Sequence, residues 1–354
     1  PLLRSMDAIS KQACRILKLF GKNVERVTTT VGPEQEYFLV DKKYYDQRKD
    51  LIFTGRTLFG AMSPKGQEMD DHYFGTIKPR VAAFMADLDE ELWKYGILAK
   101  TKHNEVAPAQ HEIAPIFSTT NTATDNNQLV MDVAKKVALQ HGMVCLLHEK
   151  PFDGVNGSGK HNNWSMSTNQ GENLLNPGND PKENAQFMLI LTAVISAVDK
   201  YAKLMRISVA SAGNDHRLGA NEAPPAIVSV FLGDELQSIV DDIIAGTHTA
   251  GTGSAKIQLG VTTLPVFSKD NTDRNRTSPF AFTGNRFEFR MPGSSQNIAC
   301  INMMLNTAVA DVFKRYADEL EGAEDFDAAL NALVKRELTA HQRVIFNGNG
   351  YDDS

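Results

Sequence analysis

The stretch Gly32-Pro33-Glu34-Gln35-Glu36-Tyr37-Phe38-Leu39-Val40-Asp41 sets two acids in a run that otherwise reads as a buried strand. Alternation along a strand puts Glu34, Glu36, Phe38 and Val40 on one face and Gln35, Tyr37 and Leu39 on the other. Two neighbouring, partly desolvated carboxylates repel each other, so they either take up a proton or gather cations, and a divalent metal neutralises them most directly. The competing arrangement is an exposed edge strand with solvated acids. Metal binding therefore requires further ligands elsewhere in the chain.

Around this strand the pattern alternates between helical and extended periods. Ile9, Ile16, Leu17 and Phe20 predict a helix over 6–20 that stops at Gly21. Residues 42–76 carry several glycines, Pro64 and no sustained period, and read as a long surface excursion. Ile77, Val81, Phe84, Met85, Leu88 and Leu92 predict a core-facing helix over 77–95, closed by Gly96. A strand is expected over Ile97–Lys102. Pro108 breaks the run Glu105-Val106-Ala107-Pro108-Ala109-Gln110-His111-Glu112, so Glu105 and Glu112 fall on consecutive strands or on a strand and a loop, forming a second acid pair. Val130, Val133, Val137, His141 and Val144 mark one long helix, and Phe187, Leu191, Val194, Val198, Tyr201 and Met205 another. Strands and helices interleave without a repeat or linker, which predicts one α+β domain over 1–354.

Composition narrows the class of ligand. With 42% hydrophobic and 23% charged residues the 354-residue chain is globular, and a net charge of −6 without a basic aromatic run argues against nucleic acid and for a small ligand. Cys14, Cys145 and Cys300 are an odd number without a CxxC pair, which suggests reduced thiols in a cytoplasmic protein. The apolar run Met188–Val198 is too short to span a bilayer and fits a buried helix, so no membrane partner is expected. No secretory signal opens the chain. The start at Pro1 and the loop-like Asn347-Gly348-Asn349-Gly350 near the end read as a piece of a longer protein with its C-terminal part shortened.

Gly154-Val155-Asn156-Gly157-Ser158-Gly159-Lys160-His161 resembles a phosphate-binding P-loop through its lysine, but His161 stands where Ser or Thr would hold Mg²⁺. The following Asn162-Asn163-Trp164-Ser165-Met166-Ser167 alternates like a strand, so the helix that would face a phosphate is missing. What remains is a glycine loop that lets backbone approach a ligand closely, and a histidine leaving it on a strand as a possible metal ligand beside the four glutamates.

The combination of GPEQEYFLVD, EVAPAQHE and NGSGKH resembles the catalytic domain of the glutamine synthetases. NDHRLGANEAPP, DRNR and Arg286-Phe287-Glu288-Phe289-Arg290 extend the resemblance, in the family's order, over roughly residues 28–300; details such as HNNWS and TGNRFEFRMPGS are most similar to the large type III branch. The resemblance implies a curved, mainly antiparallel sheet with helices packed on one face. It also implies two Mg²⁺ or Mn²⁺ ions per active site, one held by Glu36, Glu105 and Glu112 and the other by Glu34, His161 and Glu288. Glu288 also fits on alternation alone, since Arg286, Glu288 and Arg290 share a strand face opposite Phe287 and Phe289.

By the same carry-over, Asn156, Gly157, Arg217, Glu222 and Arg290 would contact glutamate, and Ser165, Arg276 and Arg286 would contact ATP. Glu222 would accept a proton from the attacking ammonium, with Arg217, Arg276 and Arg290 completing the catalytic set. The implied reaction joins ammonia to L-glutamate through γ-glutamyl phosphate, in a homo-oligomeric ring that is a dodecamer in the intact protein. The family's strand-rich N-terminal domain, which supplies a neighbour's active-site residues, is absent from this stretch. Asn163 stands where many relatives have a second histidine. A ligase joining glutamate to another amine, or a non-catalytic structural relative, are the competing expectations.

Overall fold

In the computed structural model, residues 1–220, 223–247 and 276–352 are described, together with the backbone of 256–257 and 267–268. The acid-bearing strand is the axis of the fold. β1 (Val27–Asp41) runs fifteen residues, sustained by Val27, Thr28, Thr29, Thr30 and Val31 ahead of the acids and by the aromatic and aliphatic run after them. The other strands are β2 (Ala99–Asn104), β3 (Gln110–Pro115), β4 (Ser118–Thr119), β5 (Met143–Leu146), β6 (Lys160–Thr168), β7 (Val230–Phe231), β8 (Lys256–Ile257), β9 (Phe267–Ser268), β10 (Phe280–Phe282) and β11 (Phe287–Phe289). Among the described residues, the order β2-β3-β1-β6-β11-β10-β7 forms one sheet, with β4 and β5 also paired to β1; every pairing is antiparallel except β7 with β10. β8 and β9 pair separately.

The helices are α1 (Leu2–Leu19), α2 (Lys42–Tyr45), α3 (Lys49–Thr54), α4 (Asp71–Phe74), α5 (Pro79–Trp93), α6 (Thr120–Gln140), α7 (Ala185–Lys200), α8 (Ala202–Ser208), α9 (Ala212–Arg217), α10 (Asp234–Ala245), α11 (Ile298–Leu320) and α12 (Phe326–His341). Odd-numbered β1 residues face α1, α5, α6, α7, α11 and α12, while Leu51 of α3 packs on the other side with Phe38. Val27 and Val31 join Trp164 and Met166 of β6, Phe287 and Phe289 of β11, and the apolar faces of α1, α7, α11 and α12 in the main core. Tyr37 and Leu39 enter a second core with α5, α6 and β5. Burial of this kind supplies roughly 25 cal/mol per Å² of apolar area and fixes the register, because a one-residue slip would drive Glu34 and Glu36 into the helices. The mainly antiparallel sheet with helices on one face is thus the expected fold.

Several boundaries differ from expectation for local reasons. α6 starts at Thr120 and ends at Gln140; Gly142, at φ 64°, reverses the chain so that Val144 lies on β5 and not on a helix. The helix expected over Phe187–Met205 is two, α7 and α8, separated at Tyr201. The excursion 42–76 contains α2, α3, a 3₁₀ turn at Glu68–Asp70 and α4, because short polar turns satisfy its backbone without a periodic apolar face.

Candidate active site

Cross-strand register brings the acids together. Glu34 on β1 lies opposite His161 on β6, Glu36 lies opposite Glu112 on β3, and Glu288 on β11 lies opposite Asn163 on β6. Glu105 follows β2 in the turn to β3, where Ala109 adopts φ 65° and Glu105 N–H donates to the Gln110 carbonyl at 2.9 Å. His161 Nδ1 is 3.1 Å from Glu34 Oε2 and 3.0 Å from Glu288 Oε1, and its Nε2 is 3.6 Å from Glu36 Oε1. All but Glu34 are more than nine-tenths buried.

So many buried acids need positive charge nearby. Arg290 Nη1 pairs with Glu288 Oε1 at 3.1 Å, and His103 Nε2 pairs with Glu112 Oε1 at 2.9 Å, with Nδ1 3.6 Å from Glu105. Burial and Arg290 act to remove the His161 proton, but hydrogen bonds to Glu288 and Glu34 prevail and raise it to about 10. The hydrogen bond to Glu112 raises His103 to about 9 against the effect of burial. Burial pushes Glu34 up, yet the hydrogen bond and charge of His161 leave it lowered; Glu112 is raised by burial.

The donor atoms are spaced for metal ions. Ligand atoms of Glu34, Glu112 and His161 lie within 4.8 Å of one another, as do those of His103, Glu105 and Glu112. Clusters dominated by carboxylate oxygens could hold a divalent cation. These groupings differ from the carried-over sets: Glu112 stands between both clusters, His103 joins one, and Glu36 Oε2 accepts the Gly159 N–H at 2.6 Å.

The glycine loop packs on the acids and runs straight into β6, with no helix behind it. A Cβ at Gly157 would sit 2.1 Å from the Glu149 carbonyl oxygen, and one at Gly159 would sit 2.1 Å from Arg217 Nη2, so both positions require glycine for close approach. Arg217, 2% exposed at the end of α9, donates to Asn214 Oδ1 and to the carbonyls of Arg290, Met291 and Pro292 at 3.2–3.4 Å. Its Nη atoms are therefore engaged by Asn214 and by backbone, while Nε has no hydrogen-bond partner. Burial lowers its pKa.

Glu34, Glu36, Glu105, Glu112, His103, His161 and Arg217 line a cleft of about 90 Å³, joined by Asn156, Gly157, Arg276 and Arg290, while Glu288 lies behind His161 and not in the lining. Arg276 is on the open rim, 5.7 Å from the Tyr73 ring centroid. Ser165 and Arg286 do not line it: the Ser165 hydroxyl donates to Asn285 O at 2.9 Å, and Arg286 Nε donates to Asn163 Oδ1 at 3.0 Å, whose Nδ2 in turn donates to Glu34. Glu222 lies outside the described residues.

Residues 11–228 match the family described as glutamine synthetase, catalytic domain. The chain belongs to the glutamine synthetase family. It is 56% identical, over 99% of its length, to a glutamine synthetase of Butyrivibrio fibrisolvens and 53% identical, also over 99%, to a type-3 glutamine synthetase of Dictyostelium discoideum. The chain spans about half the length of these relatives, 50% and 48%. Its fold is similar to a cryo-EM structure of Plasmodium falciparum glutamine synthetase, with a TM-score of 0.54 at 19% identity, covering 86% of this chain and 56% of that one.

Within this glutamine synthetase fold, the structure adds residues that sequence reasoning passed over. His103 precedes Glu105 by two on a strand-like run, which is the signal that would have placed it on the same face. Glu149 carried no signal; buried under the loop, it accepts from the Ser295 N–H at 3.1 Å and from the Ser295 hydroxyl, and leaves no room for a Cβ at Gly293. Tyr73 and Gln67 arrive from the excursion.

Proposed function

We propose that residues 1–354 form the catalytic domain of an enzyme that joins ammonia to L-glutamate with ATP, giving L-glutamine, ADP and phosphate. The observation that carries this reading is the convergence of four carboxylates and His161, itself 3.0 Å from Glu288, on a cleft that also holds Arg217, Arg276 and Arg290, in a chain of the glutamine synthetase family. The oxygen-rich donor set fits two Mg²⁺ or Mn²⁺ ions, held by Glu36, Glu105 and Glu112 and by Glu34, His161 and Glu288, which when bound neutralise the phosphates of ATP.

The chain's own groups divide the remaining work. Asn156, Gly157 and Arg290, with the unpartnered Nε of Arg217, hold glutamate by its carboxylates. Arg276 on the rim meets the ATP phosphates, with Ser165 and Arg286 on the nucleotide side acting through Asn285 and Asn163. A γ-carboxylate oxygen attacks the terminal phosphorus as its bond to ADP breaks, giving γ-glutamyl phosphate. The ammonia nitrogen then attacks the acyl carbon, phosphate leaves with the former carboxylate oxygen, and Glu222 takes the surplus proton from nitrogen.

The same reading makes the intact protein a cytoplasmic homo-oligomeric ring, a dodecamer, supported by family membership and by three free cysteines. Among the described residues no helix is long and apolar enough to cross a membrane. The test is product analysis on the full-length protein with glutamate, Mg·ATP and ammonium, beside parallel reactions with hydroxylamine and methylamine. Glutamine and phosphate in equal amounts are expected. Product with the substituted amines alone would assign the related amine ligase, and no product despite Mg·ATP binding would assign a non-catalytic relative.

A further inference from the structure

Gln67, in the excursion, pairs with the cleft-lining Asn156 through both amide atoms. Its Oε1 accepts from the main-chain N–H of Asn156, and its Nε2 donates to Asn156 Oδ1 at 3.0 Å. A main-chain N–H can only donate, so it settles which end of the Gln67 amide is oxygen. The other end is NH₂, which settles that Asn156 Oδ1 faces Gln67 and leaves Asn156 Nδ2 as the remaining end. Asn156 is 3% exposed and lines the cleft, and no described group accepts from Nδ2.

The excursion does not depend on this pair for its docking. His72 Nδ1 lies 2.6 Å from the Glu105 carbonyl, Asn104 Nδ2 donates to the Gly75 carbonyl at 3.3 Å, and the Met62 methyl packs against Gly154. Two and three residues after Gln67, Met69 and Asp70 adopt φ 55° and 52°, a conformation that residues other than glycine adopt rarely. That turn leaves Met69 95% exposed while Gln67 points inward. A loop held elsewhere that still directs one amide onto one amide is built around that contact.

We infer that Gln67 is a specificity-determining residue: it sets the polarity of the Asn156 amide so that NH₂ faces the amino-acid substrate and the pocket selects a carboxylate-bearing one. The inference rests on the reading that glutamate binds beside Asn156. Replacing Gln67 by Glu keeps the shape but removes the donor; the new carboxylate accepts from both Asn156 N–H and Nδ2, which turns Oδ1 toward the substrate carboxylate. Replacing it by Ala leaves Asn156 free to rotate and forfeits only preorganisation.

Calorimetric titration of L-glutamate into full-length protein with Mg²⁺ and a non-hydrolysable ATP analogue reads this without turnover. Gln67→Glu is expected to weaken glutamate binding by about ten- to a hundredfold, the size of a hydrogen bond to a charged group, and by more than Gln67→Ala. Mg²⁺ affinity and the thermal midpoint should stay at wild-type values. An equal or larger loss for Gln67→Ala, wild-type glutamate affinity in both variants, or a joint fall in Mg²⁺ affinity and thermal midpoint, would overturn the inference. Asn156→Ala separates the two levels: wild-type glutamate affinity there removes the underlying reading, whereas a loss there with none in the Gln67 variants removes only the role of Gln67.

Discussion

His161 is where the charge balance of the cleft is decided. In the metal-free protein it carries a proton held to about 10 by Glu288 and Glu34 after opposing burial. A histidine raised above its unfolded value of about 6.5 contributes stability that is fully present below that value and is lost as pH rises through about 10. The metal-free protein is therefore expected to lose stability between about pH 7 and 10, as followed by thermal melts across that range. Metal must displace the same proton, so Mn²⁺ affinity should rise with pH over this window and proton release should appear as a buffer-dependent heat. A flat stability profile and no proton release would refute this balance. At Gly157 the constraint is steric, since an added Cβ meets a backbone oxygen at 2.1 Å. Gly157→Ala should cost about 1–3 kcal/mol in denaturant titration and lower glutamate affinity; a variant of unchanged stability would mean that the loop yields freely. The acids themselves were legible at this scale because Glu34, Glu36 and Glu288 break an apolar alternation. His103 was not, because one histidine on a mixed strand looks like any other until Glu112 is seen 2.9 Å away.

Between elements, the back of β6 is tied to α11 by buried amides. Asn162 and Asn302 exchange Nδ2-to-Oδ1 hydrogen bonds at 2.9 Å in both directions, and Trp164 Nε1 donates to Asn306 Oδ1 at 2.8 Å. Each partner of the Asn pair depends on the other, so Asn302→Ala should cost about 1–3 kcal/mol by leaving Asn162 unsatisfied. The double variant Asn162→Ala/Asn302→Ala should cost less than the sum of the single ones, and strict additivity in urea titrations would deny the coupling. The helices α1 and α5 were readable from the spacing of Ile9, Ile16 and Leu17 and of Val81, Phe84, Met85, Leu88 and Leu92, all of which are buried. The end of α6 was not, because Val144 continues its period although Gly142 has already turned the chain. The excursion 42–76 was legible as irregular, but its docking rests on contacts such as His72 Nδ1 with the Glu105 carbonyl, 33 residues apart, that no local pattern announces.

For the whole molecule, one sheet separates two environments: helices cover the apolar face, and the opposite face gathers the acids, the glycine loop and the arginines into one cleft. In the proposed reaction this cleft activates the γ-carboxylate of glutamate by moving a phosphoryl group onto it. Full-length protein supplied with Mg·ATP, ammonium and L-glutamate labelled with oxygen-18 in the γ-carboxylate tests that step through the mass of the released phosphate. Phosphate carrying a single oxygen-18, formed in step with glutamine, is the predicted result; glutamine accompanied by unlabelled phosphate would contradict it.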